Sequence, residues 1–181
     1  MIYVSISTIP PRIKNLNESV KSLLNQTKKP DKIFINIPFK YERFTDIVKD
    51  DQIPKFDNNL IEITRCEDYG PATKLLGSLS KLEKNSLVIL ADDDHVYENY
   101  MIEKFFYFYS KSPDNAYSFY VHPLGNFGIG QGADGFAINT THLKGIKNFY
   151  DKVVKDYKEL FLYDDLWISY FLYFFRKNKI L

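Results

Sequence analysis

VILADDDHVY, the stretch from Val88 to Tyr97, sets an apolar run against three consecutive aspartates. Leu87 to Ala91 is continuously apolar, which suits a central strand of a parallel sheet covered on both faces. Ligands of open parallel sheets bind outside the carboxyl ends of the strands. Asp92, Asp93 and Asp94 stand at such an end. If the chain stays extended there, Asp92 and Asp94 point to one side. Two hard oxygen donors at that spacing suit Mg²⁺ or Mn²⁺, which keeps waters and takes further ligands from substrate phosphates. An N-cap for a following helix needs one Asp only. Cap and solvated loop remain the alternatives.

Around this strand the chain alternates between strand and helix. Ile2 to Ser7 reads as a first strand, ended by Thr8-Ile9-Pro10-Pro11. Asn17 to Gln26 has Val20, Leu23 and Leu24 at helical spacing. Lys32 to Ile37 and Leu60 to Thr64 read as further strands, with an irregular polar stretch over 41–59 between them. Gly70-Pro71 opens a helix whose apolar face is Leu75, Leu76, Leu79 and Leu82, with Pro71 in its first turn. Beyond the aspartates, a helix is expected over Glu98 to Tyr109 and a strand over Ala116 to Val121. Five glycines follow in Gly125 to Gly135, then a short strand from Gly135 to Asn139. An amphipathic polar stretch spans Thr141 to Leu160. The closing helix, from about Asp165 to Lys177, is apolar on nearly every side and is expected to be buried. This is an α/β pattern, and with no repeat or linker it reads as one domain with two functional halves.

Composition narrows the function. The 181 residues carry 24 Lys plus Arg and 23 Asp plus Glu. That balance argues against generic nucleic-acid binding by a basic surface. The 14 Tyr and 15 Phe fit an aromatic-lined groove, or equally a biased coding composition. A single cysteine, Cys66, excludes disulfide scaffolds and cysteine zinc sites within the chain and reads as a small buried filler. No secretory signal and no membrane span is recognisable, so a cytoplasmic location is expected. The aromatic and basic end, Tyr173 to Leu181, reads as a core helix with a solvated basic tail, or as a peripheral membrane contact.

Four other segments carry candidate chemistry. Cys66-Glu67-Asp68-Tyr69-Gly70-Pro71-Ala72-Thr73-Lys74 follows a strand and starts a helix. Asp68 can accept hydrogen bonds from a base or ribose, and the helix N-terminus and Lys74 attract phosphate. An ordinary Gly-Pro turn is the competing reading. Ser7 to Arg12 offers hydroxyls and backbone to a nucleoside, with Arg12 in reach of a phosphate. The loop from Asn126 to Gly135 lets backbone approach a ligand closely, but its spacing is neither a P-loop nor a dinucleotide fingerprint. Asp164-Asp165 opens the last helix, where a carboxylate suits a cap or a general base equally. His95 stands next to the aspartates and is a further candidate for the metal site's lining.

Taken in order, these elements resemble the GT-A glycosyltransferases, particularly small family-2-like enzymes. The resemblance covers about residues 2–175 and implies a GT-A fold, with a central, mostly parallel mixed sheet flanked by helices. It implies a nucleotide-sugar-binding half over about 1–94 and an acceptor and catalytic half over about 95–181. By resemblance, Asp92-Asp93-Asp94 matches the D-x-D element. Asp94 would be the direct ligand of Mn²⁺ or Mg²⁺, and Asp92 would face the ribose or bind through water. Asp93 has the least defined role. Thr8, Ile9, Arg12, Asp68 and Lys74 match the donor pocket, and Gly132 and Ala133 border the transferred sugar. Asp164-Asp165 matches the Glu-Asp pair of inverting members, with Asp in place of Glu, and the second residue would be the base. The implied partners are a nucleotide-sugar donor, most often a UDP-sugar, and a glycan or glycoconjugate acceptor. The implied reaction is inverting hexosyl transfer. A sugar nucleotidyltransferase shares this layout but is expected to have a glycine-rich loop after the first strand, where Thr8-Ile9-Pro10-Pro11-Arg12 has none. An inactive sugar-nucleotide-binding module is a further alternative. A receiver domain would group its acids nearer the first strand.

Overall fold

A computed structural model describes all 181 residues. In chain order the elements are β1 (Ile2–Ser7), α1 (Leu16–Leu24), β2 (Lys32–Pro38), β3 (Ile61–Cys66), α2 (Thr73–Leu76), β4 (Leu87–Leu90) and α3 (Met101–Lys111). They continue as β5 (Tyr117–Ser118), β6 (Val121–Leu124), β7 (Phe127–Gly130), β8 (Phe136–Asn139), α4 (Ile146–Phe149), α5 (Lys158–Phe161) and α6 (Asp164–Tyr170). Six strands form one sheet in the order β3-β2-β1-β4-β8-β5, and β6 and β7 form a separate hairpin. The first four are parallel, and β8 runs antiparallel to both β4 and β5.

β1 lies between β2 and β4, so successive strands leave it in opposite directions. Such a switch point opens a crevice at the carboxyl ends of the strands. Side-chain alternation splits the core into two layers. Ile2, Val4 and Ile6 of β1, with Leu87 and Ile89 of β4, pack on one face against α1 and α3. Tyr3, Val88 and Leu90 pack on the other against α2, α4 and α6. The apolar run before the aspartates is therefore buried on both sides, as a central parallel strand requires.

Several expectations need correction. The helix after Gly70-Pro71 is one α turn, Thr73–Leu76, followed by a 3₁₀ turn at Leu79–Lys81. Pro71 lies ahead of it, in an isolated bridge with Tyr69. The strand expected over Ala116 to Val121 breaks at Phe119. The Ser118 hydroxyl lies between the Tyr120 and Gln131 carbonyls, 2.9 and 3.0 Å away, and shares its one proton with them where the chain turns out of the sheet into β6. The amphipathic stretch from Thr141 to Leu160 folds as a 3₁₀ turn, α4, a π-helical segment (Tyr150–Val154) and the start of α5. The last helix starts at Asp164 and continues past α6 as π-helical turns to Phe175. It is not buried all round. Trp167, Ile168, Phe171 and Leu172 are inside, but Tyr170, Phe174 and Phe175 are 40%, 42% and 58% exposed.

Candidate active site

The crevice holds a cavity of about 290 Å³. Its lining includes Thr8, Ile9, Arg12, Asp68, Lys74, Asp92, Asp93, Ala133, Asp164 and Asp165. Segments from six parts of the chain thus meet at one end of the sheet. Gly132 borders the same space through its neighbours. Asp94 stands outside the lining.

The two acidic clusters are joined by Lys74. This side chain is 4% exposed, and its Nζ lies 2.7 Å from Asp92 Oδ1 and 3.2 Å from Asp164 Oδ2. Burial alone lowers a lysine's pKa, but Asp164, Asp92 and Asp165 more than offset it and hold the ammonium charged. Its charge is therefore committed to carboxylates, not free for a phosphate at a helix N-terminus. The one-turn length of α2 also leaves little helix dipole there.

The aspartate run is not extended as expected. The chain turns at Asp93-Asp94, so the two flanking side chains diverge. Asp92 faces Lys74, while Asp94 lies 2.7 Å from Arg12 Nη1 and 3.6 Å from His95 Nδ1. Arg12 also donates to Asp93 Oδ1 at 2.8 Å. Asp93 is 4% exposed, and burial raises its pKa against the opposing pull of the Thr8 hydroxyl and then of Arg12. Its Oδ2 has no hydrogen-bond partner, and neither has Thr8 Oγ1, also buried and on the same wall. Buried polar groups are normally paired; these two lie close enough for the Thr8 hydroxyl to oppose the rise in the Asp93 pKa, and together they offer one polar spot to a ligand. Replacing Arg12 with Ala should cost about 1–2 kcal/mol, a figure held down by Arg12's own partial exposure. Thermal unfolding would measure it, and an unchanged midpoint would remove the counter-charge role given to Arg12.

Tyr97 holds the aspartate loop against the glycine-rich loop. Its hydroxyl accepts from the Asp92 amide at 2.6 Å and can donate to the Ala133 carbonyl at 3.0 Å. Next to Ala133, Gly132 donates its amide to Asp165 Oδ2 at 3.0 Å. A Cβ at Gly132 would fall 2.8 Å from Asp165 Oδ1 and 2.9 Å from Lys74 Nζ. A side chain here would have to displace the Asp165 carboxylate or the Lys74 ammonium from its partners.

Asp164 and Asp165 do not cap α6. The N-cap position is Tyr163, and no side chain bonds the free amides there. Asp164 is turned to Lys74 instead. Asp165 is pushed up to about 6 by burial first and by the charge of Asp164 second, with Lys74 and the Gly132 amide opposing. That range suits a base working near neutral pH.

Asp68 faces the cavity with its oxygens engaged. Oδ1 accepts from the Gly70 amide at 2.9 Å and Oδ2 from the Glu42 amide at 2.7 Å. It thereby ties the 41–44 segment to the Gly70 turn. Gly70 has φ +61°, and a Cβ there would fall 2.7 Å from the Phe161 carbonyl oxygen. The turn so brings the chain just ahead of Asp164 up against β3's end. Cys66 is half-buried, and burial pushes its thiol up to about 12, so it is inert.

Sequence patterns alone miss one wall. Tyr41, Arg43 and Phe44 line the cavity from the segment that reads as irregular. Tyr41 is buried, and its hydroxyl donates to the Thr8 carbonyl at 3.0 Å. Arg43 lies over the Phe44 ring, 5.5 Å from its centre. The available signal is position: the segment follows β2 at the same edge as the other site loops.

The charges decide what can enter. Three cations (Arg12, Arg43 and Lys74) face five carboxylates (Asp68, Asp92, Asp93, Asp164 and Asp165). A ligand bearing a diphosphate meets an excess of negative charge unless a cation accompanies it. No three acidic, histidine or cysteine side chains converge closely enough to hold a metal by themselves. Mg²⁺ and Mn²⁺ need only one or two carboxylates when phosphates and waters supply the rest. The unpartnered Asp93 Oδ2 and the outward Asp94 carboxylate fit that arrangement.

No family model matches this chain, and no curated protein matches it in sequence. Solved structures do match in fold. The 2-C-methyl-D-erythritol 4-phosphate cytidylyltransferase IspD of Francisella tularensis superposes with a TM-score of 0.64 at 13% identity, over 99% of this chain and 88% of that one. Staphylococcus aureus TarS residues 1–349, solved with UDP-GlcNAc, gives 0.53 at 13% identity, over 81% and 47%. The mannosyltransferase PcManGT of Pyrobaculum calidifontis, solved with GDP-Man and Mn²⁺, gives 0.55 at 12% identity, over 80% and 46%. The chain spans about half the length of these last two. At such identities the likeness is one of fold: a GT-A-like, nucleotide-diphospho-sugar transferase α/β sheet.

Proposed function

We propose that this chain is a metal-dependent, inverting glycosyltransferase that moves a hexosyl group from a nucleotide-diphosphate donor, a UDP-sugar first among them, to a hydroxyl of a glycan or glycoconjugate. The observation that carries this reading is the meeting of two acidic clusters across one cavity, with Lys74 between them. The fold neighbours solved with UDP-GlcNAc and with GDP-Man and Mn²⁺ support the donor class and the cation.

Thr8, Ile9, Arg12 and the Asp68 turn would hold the nucleotide, with Tyr41 and Phe44 as further walls. Asp94 would hold Mn²⁺ or Mg²⁺, with Asp93 Oδ2 as an added oxygen, and Asp92, turned to Lys74, would reach the ion through a water. When bound, the cation neutralises the charge that grows on the leaving diphosphate. Gly132 and Ala133 would flank the sugar. Asp165 would accept the proton of the acceptor hydroxyl as its oxygen bonds to C1. The C1–phosphate oxygen bond breaks, and its electron pair leaves with the nucleoside diphosphate. Asp164, held by Lys74, keeps Asp165 basic by its neighbouring charge.

The test is binding and turnover with UDP-, GDP- and dTDP-sugars, each with and without Mn²⁺. One donor should bind at least tenfold more tightly with the cation, given that a divalent charge at a desolvated diphosphate is worth more than about 1.4 kcal/mol. Absence of any donor binding with Mn²⁺ present sinks the reading.

One observation favours a second reading, sugar nucleotidyl transfer: the IspD likeness spans nearly the whole chain. Against it, the loop after β1 has no glycine between Thr8 and Arg12 to wrap a triphosphate. Release of pyrophosphate from a nucleoside triphosphate and a sugar phosphate would decide for it.

A further inference from the structure

The end of the last helix remote from the cavity carries a continuous aromatic face. The Tyr170 and Phe174 rings are tilted against each other with centres 4.5 Å apart, and Phe127 of the β6–β7 hairpin packs on Tyr173 at 5.6 Å and on Phe174 at 5.5 Å. Phe175 lies beside them, more than half exposed. Leu124 pairs across the hairpin with Phe127 and is 46% exposed. An apolar face of this kind on a small domain marks an interaction surface. The chain then turns sharply at Lys177, which has φ +61°, and the Asn178 amide bonds back to the Leu172 carbonyl. That turn places Lys177 and Lys179 in solvent directly after the aromatic residues. Neither forms an ion pair, and no acidic residue occurs from Leu166 to Leu181.

We propose that this face docks on an anionic lipid bilayer, with Tyr170, Tyr173, Phe174 and Phe175 at the headgroup level and Lys177 and Lys179 on the lipid phosphates. Aromatic rings with a polar edge favour that level, and cations favour an anionic surface. The charge chooses the occupant. A second copy seated on the same patch would bring its lysines against these, with no acid in the segment itself and only the exposed Asp114 beside Asn178 to receive them. No helix is long and apolar enough to cross a membrane, so the contact is peripheral. Asp165 and Phe175 are ten residues apart on nearly continuous helical turns, about 15 Å along the axis. Docking would hold the cavity near the lipid surface. The docking itself stands apart from the transfer reaction proposed above.

The experiment is co-sedimentation of the full chain with vesicles containing phosphatidylglycerol and with vesicles of phosphatidylcholine alone. Binding is expected to the first, to fall with added salt, and to be much weaker on the second. Lys177→Glu/Lys179→Glu should weaken it roughly 25-fold or more, about fivefold for each cation lost. Phe174→Ser should weaken it by about tenfold or more, with circular dichroism checking that the fold persists. The charge variant alters only exposed groups, so it remains decisive if Phe174→Ser fails to fold. No binding, equal binding to both vesicles, or full binding by the charge variant would each overturn the proposal. So would self-association that Phe174→Ser abolishes in a chain that ignores vesicles.

Discussion

Asp165→Asn is expected to abolish transfer and, at neutral pH, to make the protein more stable. The two effects have one cause. Asp165 is held at about 6 by burial and by Asp164, above an ordinary aspartate near 3.9. A raised carboxyl pKa means that the fold prefers the protonated form. The resulting penalty is absent below the unfolded pKa. It grows as pH rises from about 4 to about 6 and is complete above that. A rise of that size corresponds to about 3 kcal/mol at most, and coupling to Lys74 reduces what Asn recovers to about 1–2 kcal/mol. Asn keeps an oxygen for the Gly132 amide but cannot take a proton. Transfer should fall by at least about a thousandfold, as for loss of a general base whose oxygen also meets the reacting hydroxyl. Donor binding should survive. In the unaltered protein, kcat/KM for the proposed transfer should rise through about pH 6 and level off above it. Unfolding curves and pH profiles check these outcomes. If Asp165→Asn loses donor binding as well as turnover, Asp165 is a structural anchor of the glycine-rich loop. A destabilised variant would contradict the raised pKa.

Much of this site was legible because strand ends are legible. β1, β2 and β4 are largely apolar and β3 alternates apolar with polar residues, each ends at or just before Pro or acidic residues, and parallel strands point their carboxyl ends the same way. Placing Thr8, Asp68 and Asp92 on one edge needed no more than that. What did not show was direction at the scale of one side chain. The turn at Asp93-Asp94 sends the two flanking carboxylates to different partners, and no periodicity reports a turn inside a polar triplet. Lys74 read as a phosphate contact because its sequence neighbours form a helix start. Its real partners are 18 and 90 residues away, and only the folded sheet brings them together. Likewise, the aromatic wall at Tyr41 and Phe44 has no local pattern; its meaning comes from where β2 ends. The last helix looked buried because Phe and Tyr were counted as core residues, whereas Tyr170, Phe174 and Phe175 face out.

Lys74→Ala is the substitution expected to cost the most stability. Three carboxylates lean on this one ammonium: Asp92 at 2.7 Å, Asp164 at 3.2 Å, and Asp165 through its field. Removing one partner of a buried ion pair leaves uncompensated charge, worth about 3–5 kcal/mol. For a domain of this size that is on the order of 10 °C in the unfolding midpoint. The folded pKa of Lys74 is raised, so its contribution is fully present at and below neutral pH and is lost only on strong alkalinisation. The loss should therefore be the same at pH 6 and pH 8 apart from the Asp165 titration described above. Adding Asp92→Asn to Lys74→Ala should recover part of it, because it removes one of the stranded charges. Mn²⁺ separates a structural lysine from one beside a cation site. If Asp92 shares the cation as proposed, Mn²⁺ will stabilise Lys74→Ala more than the unaltered protein, since it supplies charge where the ammonium was. Urea unfolding in UDP, with and without Mn²⁺, measures this, since the diphosphate supplies the remaining ligands, and a midpoint that ignores the ion in both proteins would remove Asp92 from the metal site. A loss below about 1 kcal/mol, the range of an exposed pair, would show that Lys74 does not hold the two acidic clusters together.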